Sequence, residues 1–176
     1  MSQKAGRRLV GGTRTGVMEQ ETPLHSLEKT QWLLKGLKDS GKRLGIATGR
    51  PRLEYEMPFS RWEILSYFEQ EHCVSYDEVT TAQNSLGKTY FLAKPAPFSF
   101  LKAAFGTKYD DRSLALGQYD PQPLKQVLIV GDAGADILAA KAMHTDFAAV
   151  LTGVNGQQAR AYFEKEGATY ICDSVL

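Results

Sequence analysis

The chain has 176 residues, 43% apolar and 23% charged, with 21 Lys and Arg against 20 Asp and Glu for a net charge of +1. This length suits one domain with a real core, and the composition argues against a disordered chain. The near-balance of charge removes the electrostatic case for nucleic acid or an anionic membrane as partner. Two cysteines, Cys73 and Cys172, are too few for a disulfide framework or a cysteine-ligated zinc site, and they fit a reducing compartment. No apolar run approaches the roughly 20 residues of a membrane helix, and the first residues lack the apolar core of a secretory signal. A cytoplasmic protein is expected.

Residues 1–21 open the chain as a basic, glycine-rich extension with few apolar positions, expected to be a flexible or loosely docked tail. Thr22-Pro23 has the pattern of a helix cap followed by proline in the first turn. Leu24, Leu27, Gln31, Leu34 and Leu37 then share one helical face up to Gly41. Leu44 to Ala47 reads as a short strand ending in Thr48-Gly49-Arg50-Pro51, and a helix interrupted by Pro58 follows. His72 to Tyr76 is the next candidate strand, and Asp77 to Ala93 reads as irregular loop. Pro97 to Phe105 reads as a helix closed by Gly106, and 107–123 as a turn-rich surface insertion.

Gln126 to Val130 is the clearest strand, nearly all apolar as a strand covered on both faces should be. It runs into Gly131-Asp132 and a helix from Ala135 to Met143. A strand over Phe147 to Leu151, a helix near Gln157 to Lys165 and a strand over Thr169 to Cys172 complete the alternation. Helices alternating with buried strands predict an α/β domain with a mainly parallel sheet over residues 22–176.

Ligands of such sheets bind beyond the carboxyl ends of the strands. Thr48, Lys94, Asp132 and Asp136 all belong to such ends or to connections that reach them. A hydroxyl, an ammonium and two carboxylates suit phosphate chemistry, with the carboxylates on a hard cation such as Mg²⁺ and the ammonium on the charge of the transferring group. Each also has a plainer reading: Asp132 as a helix cap, Asp136 as a solvated helix residue, Lys94 as a surface lysine, Thr48 as a turn residue. A dinucleotide-binding oxidoreductase fits less well, because Gly-Asp-Ala-Gly-Ala-Asp lacks the Gly-x-Gly-x-x-Gly spacing.

Gly45-Ile-Ala-Thr-Gly-Arg-Pro51, then Ala93-Lys-Pro95, then Val127-Leu-Ile-Val-Gly-Asp-Ala-Gly-Ala-Asp136, in this order, resembles the haloacid dehalogenase (HAD) superfamily of phosphohydrolases. The resemblance covers Thr22 to Val175 and implies a three-layer α/β/α Rossmann-like sandwich. It implies that Thr48, with Gly49, binds the transferring phosphoryl group, that Lys94 stabilises charge on the nucleophile and the phosphate, and that Asp132 and Asp136 help hold Mg²⁺. A small phosphorylated substrate is implied too.

The superfamily's first motif is a strand ending in Asp-x-Asp, carrying the nucleophile and the general acid/base. No Asp-x-Asp occurs among these 176 residues, and the first aspartate is Asp39. The Asp110-Asp111 pair has no strand before it and reads as solvated. The chain therefore resembles the part of a member that follows a cap inserted between the first and second motifs. That implies a truncated, split or degenerate hydrolase core, inactive as it stands; the alternative is a non-catalytic domain binding Mg²⁺, phosphate or a protein partner. A sheet lacking this strand is expected to be closed by self-association or by a missing N-terminal partner segment.

Overall fold

A computed structural model describes residues 20–87 and 89–176. The extension expected over 1–21 lies outside this description except for Gln20 and Glu21, and the Glu21 carboxylate holds the Arg50 guanidinium at 2.8 and 3.0 Å.

Helix α1 spans Leu27–Asp39. It starts later than the Thr22-Pro23 signal predicts, because Ser26 makes the cap by accepting from the Lys29 amide at 3.4 Å, and Glu28 complements the helix dipole in the first turn. Strand β1, Ile46–Ala47, is the end of the expected 44–47 run, and α2 covers Arg52–Arg61 with Pro58 inside it. Strand β2, Cys73–Val74, pairs parallel with β1 as Ile46 with Cys73 and Ala47 with Val74.

The loop expected over 77–93 is wrong for its first half: α3 spans Tyr76–Leu86. Its start is a capping box. The Glu78 carboxylate accepts from the Ser75 amide at 2.7 Å and hydroxyl at 2.6 Å, while the Ser75 hydroxyl accepts from the Asp77 amide at 3.1 Å.

Helix α4, Phe98–Phe105, ends at Gly106, whose φ of +59° glycine accepts without a Cβ clash. The turn-rich stretch after it is no surface insertion. It carries α5, Asp111–Ala115, and a 3₁₀ turn over Gln122–Gln126, and it sends Leu114 and Leu124 into the core. Asp110 is exposed, as expected, and also caps α5 by accepting from the Ser113 amide at 2.7 Å, while Asp111 pairs with Lys102.

Strand β3, Leu128–Gly131, leads to α6, Gly134–Met143, then β4, Asp146–Val150, α7, Arg160–Glu166, and β5, Tyr170–Cys172. These three strands form one parallel sheet in the order β3-β4-β5, with Leu128 opposite Asp146 and Ala148 opposite Tyr170. The architecture is thus α/β with parallel strands, as the alternation predicts. Among the described residues, however, β1-β2 and β3-β4-β5 are separate sheets. Nor is β3 covered on both faces: Ile129 is buried, but Leu128 and Val130 are each 50% exposed. The core sits where α3, α4, α6 and α7 meet β2, β3 and β4, and includes Val79, Phe98, Leu101, Ile129, Ile137, Phe147 and Phe163.

Candidate functional site

Side chains just past the carboxyl ends of parallel strands face the same edge of the sheet. Thr48 follows β1 and Asp132 follows β3, and the short β3-to-α6 connection puts Asp136 in the first turn of α6. Thr48 is anchored to β2 by its amide, which donates to the Val74 carbonyl at 2.9 Å. Its hydroxyl accepts from the Arg50 amide at 3.1 Å, which folds Thr48-Gly49-Arg50 into a tight turn and leaves the O–H as a donor.

Lys94 joins the two sheets. Its ammonium donates to the Ala47 carbonyl at the end of β1 and to Asp136 Oδ1 on α6, both at 2.8 Å, and lies 4.3 Å from the Phe100 ring centroid. An ammonium has three protons, so one remains for an anionic ligand. The cation above the ring gains a further attraction. The Lys94-Pro95 bond is cis.

Asp136 is only 6% exposed, and Oδ2 accepts from the Ala133 amide at 3.4 Å. Both oxygens are therefore engaged, one by Lys94 and one as the helix cap. Gly131 makes this packing feasible: a Cβ there would stand 2.6 Å from Asp136 Oδ2. Asp132 is different. It is exposed, and a side chain at Gly153, in the loop after β4, would overlap it. Gly49 is exposed and a Cβ there would meet open space, so its main chain is open to a ligand.

The structure thus joins Lys94 and Asp136 directly and brings Lys94 to the residue before Thr48. It sets Asp132 against a different loop. These residues do not make a Mg²⁺ site alone, since Mg²⁺ asks for six oxygens in near-octahedral array. Of the two aspartates, Lys94 occupies one, and only Asp132 offers an uncommitted carboxylate.

Sequence reasoning missed two features. Phe100 beneath Lys94 carries no motif signal. Arg52 anchors a polar network, donating to Glu56 and Glu78 at 2.8 Å, to the Tyr55 hydroxyl at 3.0 Å and to the Cys73 carbonyl at 3.2 Å. The Arg52-to-Glu56 spacing of four on a helix was the available clue. The network borders a pocket of about 530 Å³ lined by Arg52, Tyr55, Glu56, Phe68 and Cys73 among others. Burial pushes the Tyr55 hydroxyl up to about 12 and raises the Cys73 thiol, so neither ionises readily. A thiolate nucleophile at Cys73 is thereby disfavoured.

A family model for HAD-hydrolase-like proteins matches residues 91–176. A structural-genomics target solved by X-ray crystallography is 33% identical, with a TM-score of 0.89 over 98% of this chain and 46% of that one. The chain spans less than half the length of that relative. A putative beta-phosphoglucomutase from Thermotoga maritima shares 20% identity and a TM-score of 0.53 over 97% of this chain and 78% of that one. A conserved haloacid dehalogenase-like protein of unknown function from Agrobacterium tumefaciens shares 21% identity and a TM-score of 0.50, over 85% and 65%. The last two likenesses concern the fold alone. No curated protein matches the chain. Among the described residues no helix is long and apolar enough to cross a membrane.

Proposed function

We propose that this chain, whose residues 91–176 match the family model for HAD-hydrolase-like proteins, supplies the phosphate-binding part of a phosphohydrolase for small phosphorylated substrates. The observation that carries the reading is the Lys94 ammonium, held at 2.8 Å by Ala47 and by Asp136 with one proton unspent. That proton, the Thr48 hydroxyl and the exposed Gly49 turn suit the oxygens of a phosphoryl group. Preorganised donors of this kind act on charge that develops during transfer.

Phosphoryl transfer through a covalent intermediate needs a carboxylate in line with phosphorus. Asp136 is committed to Lys94, and Asp132 belongs by resemblance with the metal, so the nucleophile in this reading comes from a strand outside these 176 residues. Such a strand would lie between β1 and β3, where among the described residues the two sheets are not joined and β3 bares Leu128 and Val130. Mg²⁺, which the superfamily generally uses, would then find its remaining oxygens on that strand, with Asp132 as this chain's contribution. A second copy of the chain is the alternative occupant.

The test is phosphate release from a generic phosphomonoester with Mg²⁺. The 176 residues alone are expected to give none above buffer. The same chain fused to an apolar strand ending in Asp-x-Asp is expected to turn over, and Lys94→Ala in the fusion to abolish it. Turnover by the unfused chain that disappears in Asp132→Ala would overturn the assignment of the nucleophile. Light scattering tells a monomer awaiting a segment from a self-associated sheet.

A further inference from the structure

At the amino end of β2, the strand end opposite Thr48, a 3₁₀ turn over Gln70–His72 brings together ligand atoms of Glu69, Glu71 and His72, all within 4.8 Å of one another. His72 is 3% exposed, and its ring is fixed on two sides. Nδ1 lies 2.6 Å from the Ala103 carbonyl, which can only accept, so Nδ1 carries the proton. Against the ring lies Gly106, where a Cβ would stand 2.9 Å from His72 Cε1. A backbone carbonyl on the far ring nitrogen is the arrangement that orients metal-binding histidines and raises their basicity.

Nε2 lies 3.6 Å from Glu71 Oε1 and 3.8 Å from Glu69 Oε2. Thr107 donates to the other Glu71 oxygen at 3.2 Å and so turns Oε1 towards the imidazole. Both separations exceed ordinary hydrogen-bond length. They are close to the edge of about 3.4 Å between ligands of a tetrahedral zinc site with bonds of about 2.0–2.1 Å. With the proton on Nδ1, the Nε2 lone pair and the two carboxylates lie within 4.8 Å of one another, a donor set suited to a cation. Arg43, at 3.5 Å, and Lys38, at 4.0 Å, reach only Glu69.

We propose that Glu69, Glu71 and His72 form a binding site for a borderline divalent transition ion of the Zn²⁺ type, separate from the phosphate-binding edge. One imidazole nitrogen and two carboxylates suit Zn²⁺, whereas Mg²⁺ prefers an all-oxygen shell.

The experiment is a zinc titration of the chelator-treated 176-residue chain, followed by calorimetry and by competition with a chromophoric chelator. One equivalent is expected to bind, undisturbed by excess Mg²⁺ and unchanged in Cys172→Ser, which removes the exposed thiol. Glu71→Gln and His72→Gln are each expected to weaken binding at least tenfold. Glu71 is exposed, so its variant keeps the fold if burial of His72 disturbs the other, and circular dichroism checks both. Absence of zinc binding, or zinc held equally well by Glu71→Gln, would overturn the proposal.

Discussion

The part of the molecule built on β3, β4 and β5 and the part built on β1, β2 and α1 use similar residues and reach different degrees of burial. Helix α6 buries Asp136, Ile137, Ala139, Ala140 and Met143, and four of the five residues of β4 are buried. Helix α1 buries none of its residues. Its leucines at 27, 33, 34 and 37 are only half covered and Trp32 is 75% exposed. The difference follows from neighbours. Strand β4 is paired on both sides and packed by α6, whereas β1, packed by α4, pairs among the described residues with β2 alone, and α1 rests mainly on the 3₁₀ turn Leu65–Tyr67, with Gln31 donating to the Trp62 carbonyl at 3.1 Å. An apolar helix face is covered only if the layer it was patterned for is present. Lys94 adds a polar tie between the two parts, through Ala47 on one side and Asp136 on the other, beside the packing of α4 against both.

The widest contrast comes from truncating a core ring in the well-covered part. Phe163→Ala, at a side chain 1% exposed, is expected to cost about 4 kcal/mol in urea unfolding. Lys94→Ala leaves the buried Asp136 without its cation and is expected to cost about 3 kcal/mol. The double variant Lys94→Ala/Asp136→Asn should recover part of that loss, because the uncompensated charge is gone.

Ser75→Ala removes the cap of α3 and should cost about 1 kcal/mol. Burial, the largest single influence, raises the Glu78 carboxyl, but the Ser75 hydroxyl, the Arg52 guanidinium and the Ser75 amide together outweigh it and hold it below the usual glutamate value. A lowered carboxyl contributes stability that is present above its unfolded value and lost as pH falls through the folded one. The stability gap between wild type and Glu78→Gln should therefore narrow as pH falls through and below the ordinary glutamate range, which paired unfolding curves measure.

The smallest effect belongs to the sparsely covered part. Trp32→Ala should change stability by no more than about 0.5 kcal/mol, and α1 amides should exchange hydrogen faster than those of α6. A large loss at Trp32 would mean that α1 is covered in solution, by another copy or another segment, and would break the comparison.

Local signals account for what was legible in the chain. Gly106 stops α4, the apolar run into Gly131-Asp132 marks β3 and the turn that follows it, and the alternation of elements yields parallel strands, because each depends on residues close in sequence. The Ser75-x-x-Glu78 box is equally local, but the polar surface pattern of residues 77–93 masks it, so the sequence reads as loop where α3 stands. Leu114 and Leu124 were misjudged for another reason: turn residues around them obscured apolar side chains whose burial depends on α3, α4 and other distant elements. What required the folded molecule was pairing across distance. Lys94 meets Asp136, 42 positions away, only because α4 and α6 pack on the same core. That Asp136 holds Lys94, while Asp132 stands free in solvent, was decided by a buried carboxylate's need for a cation and by the room that Gly131, with no Cβ, leaves beside it.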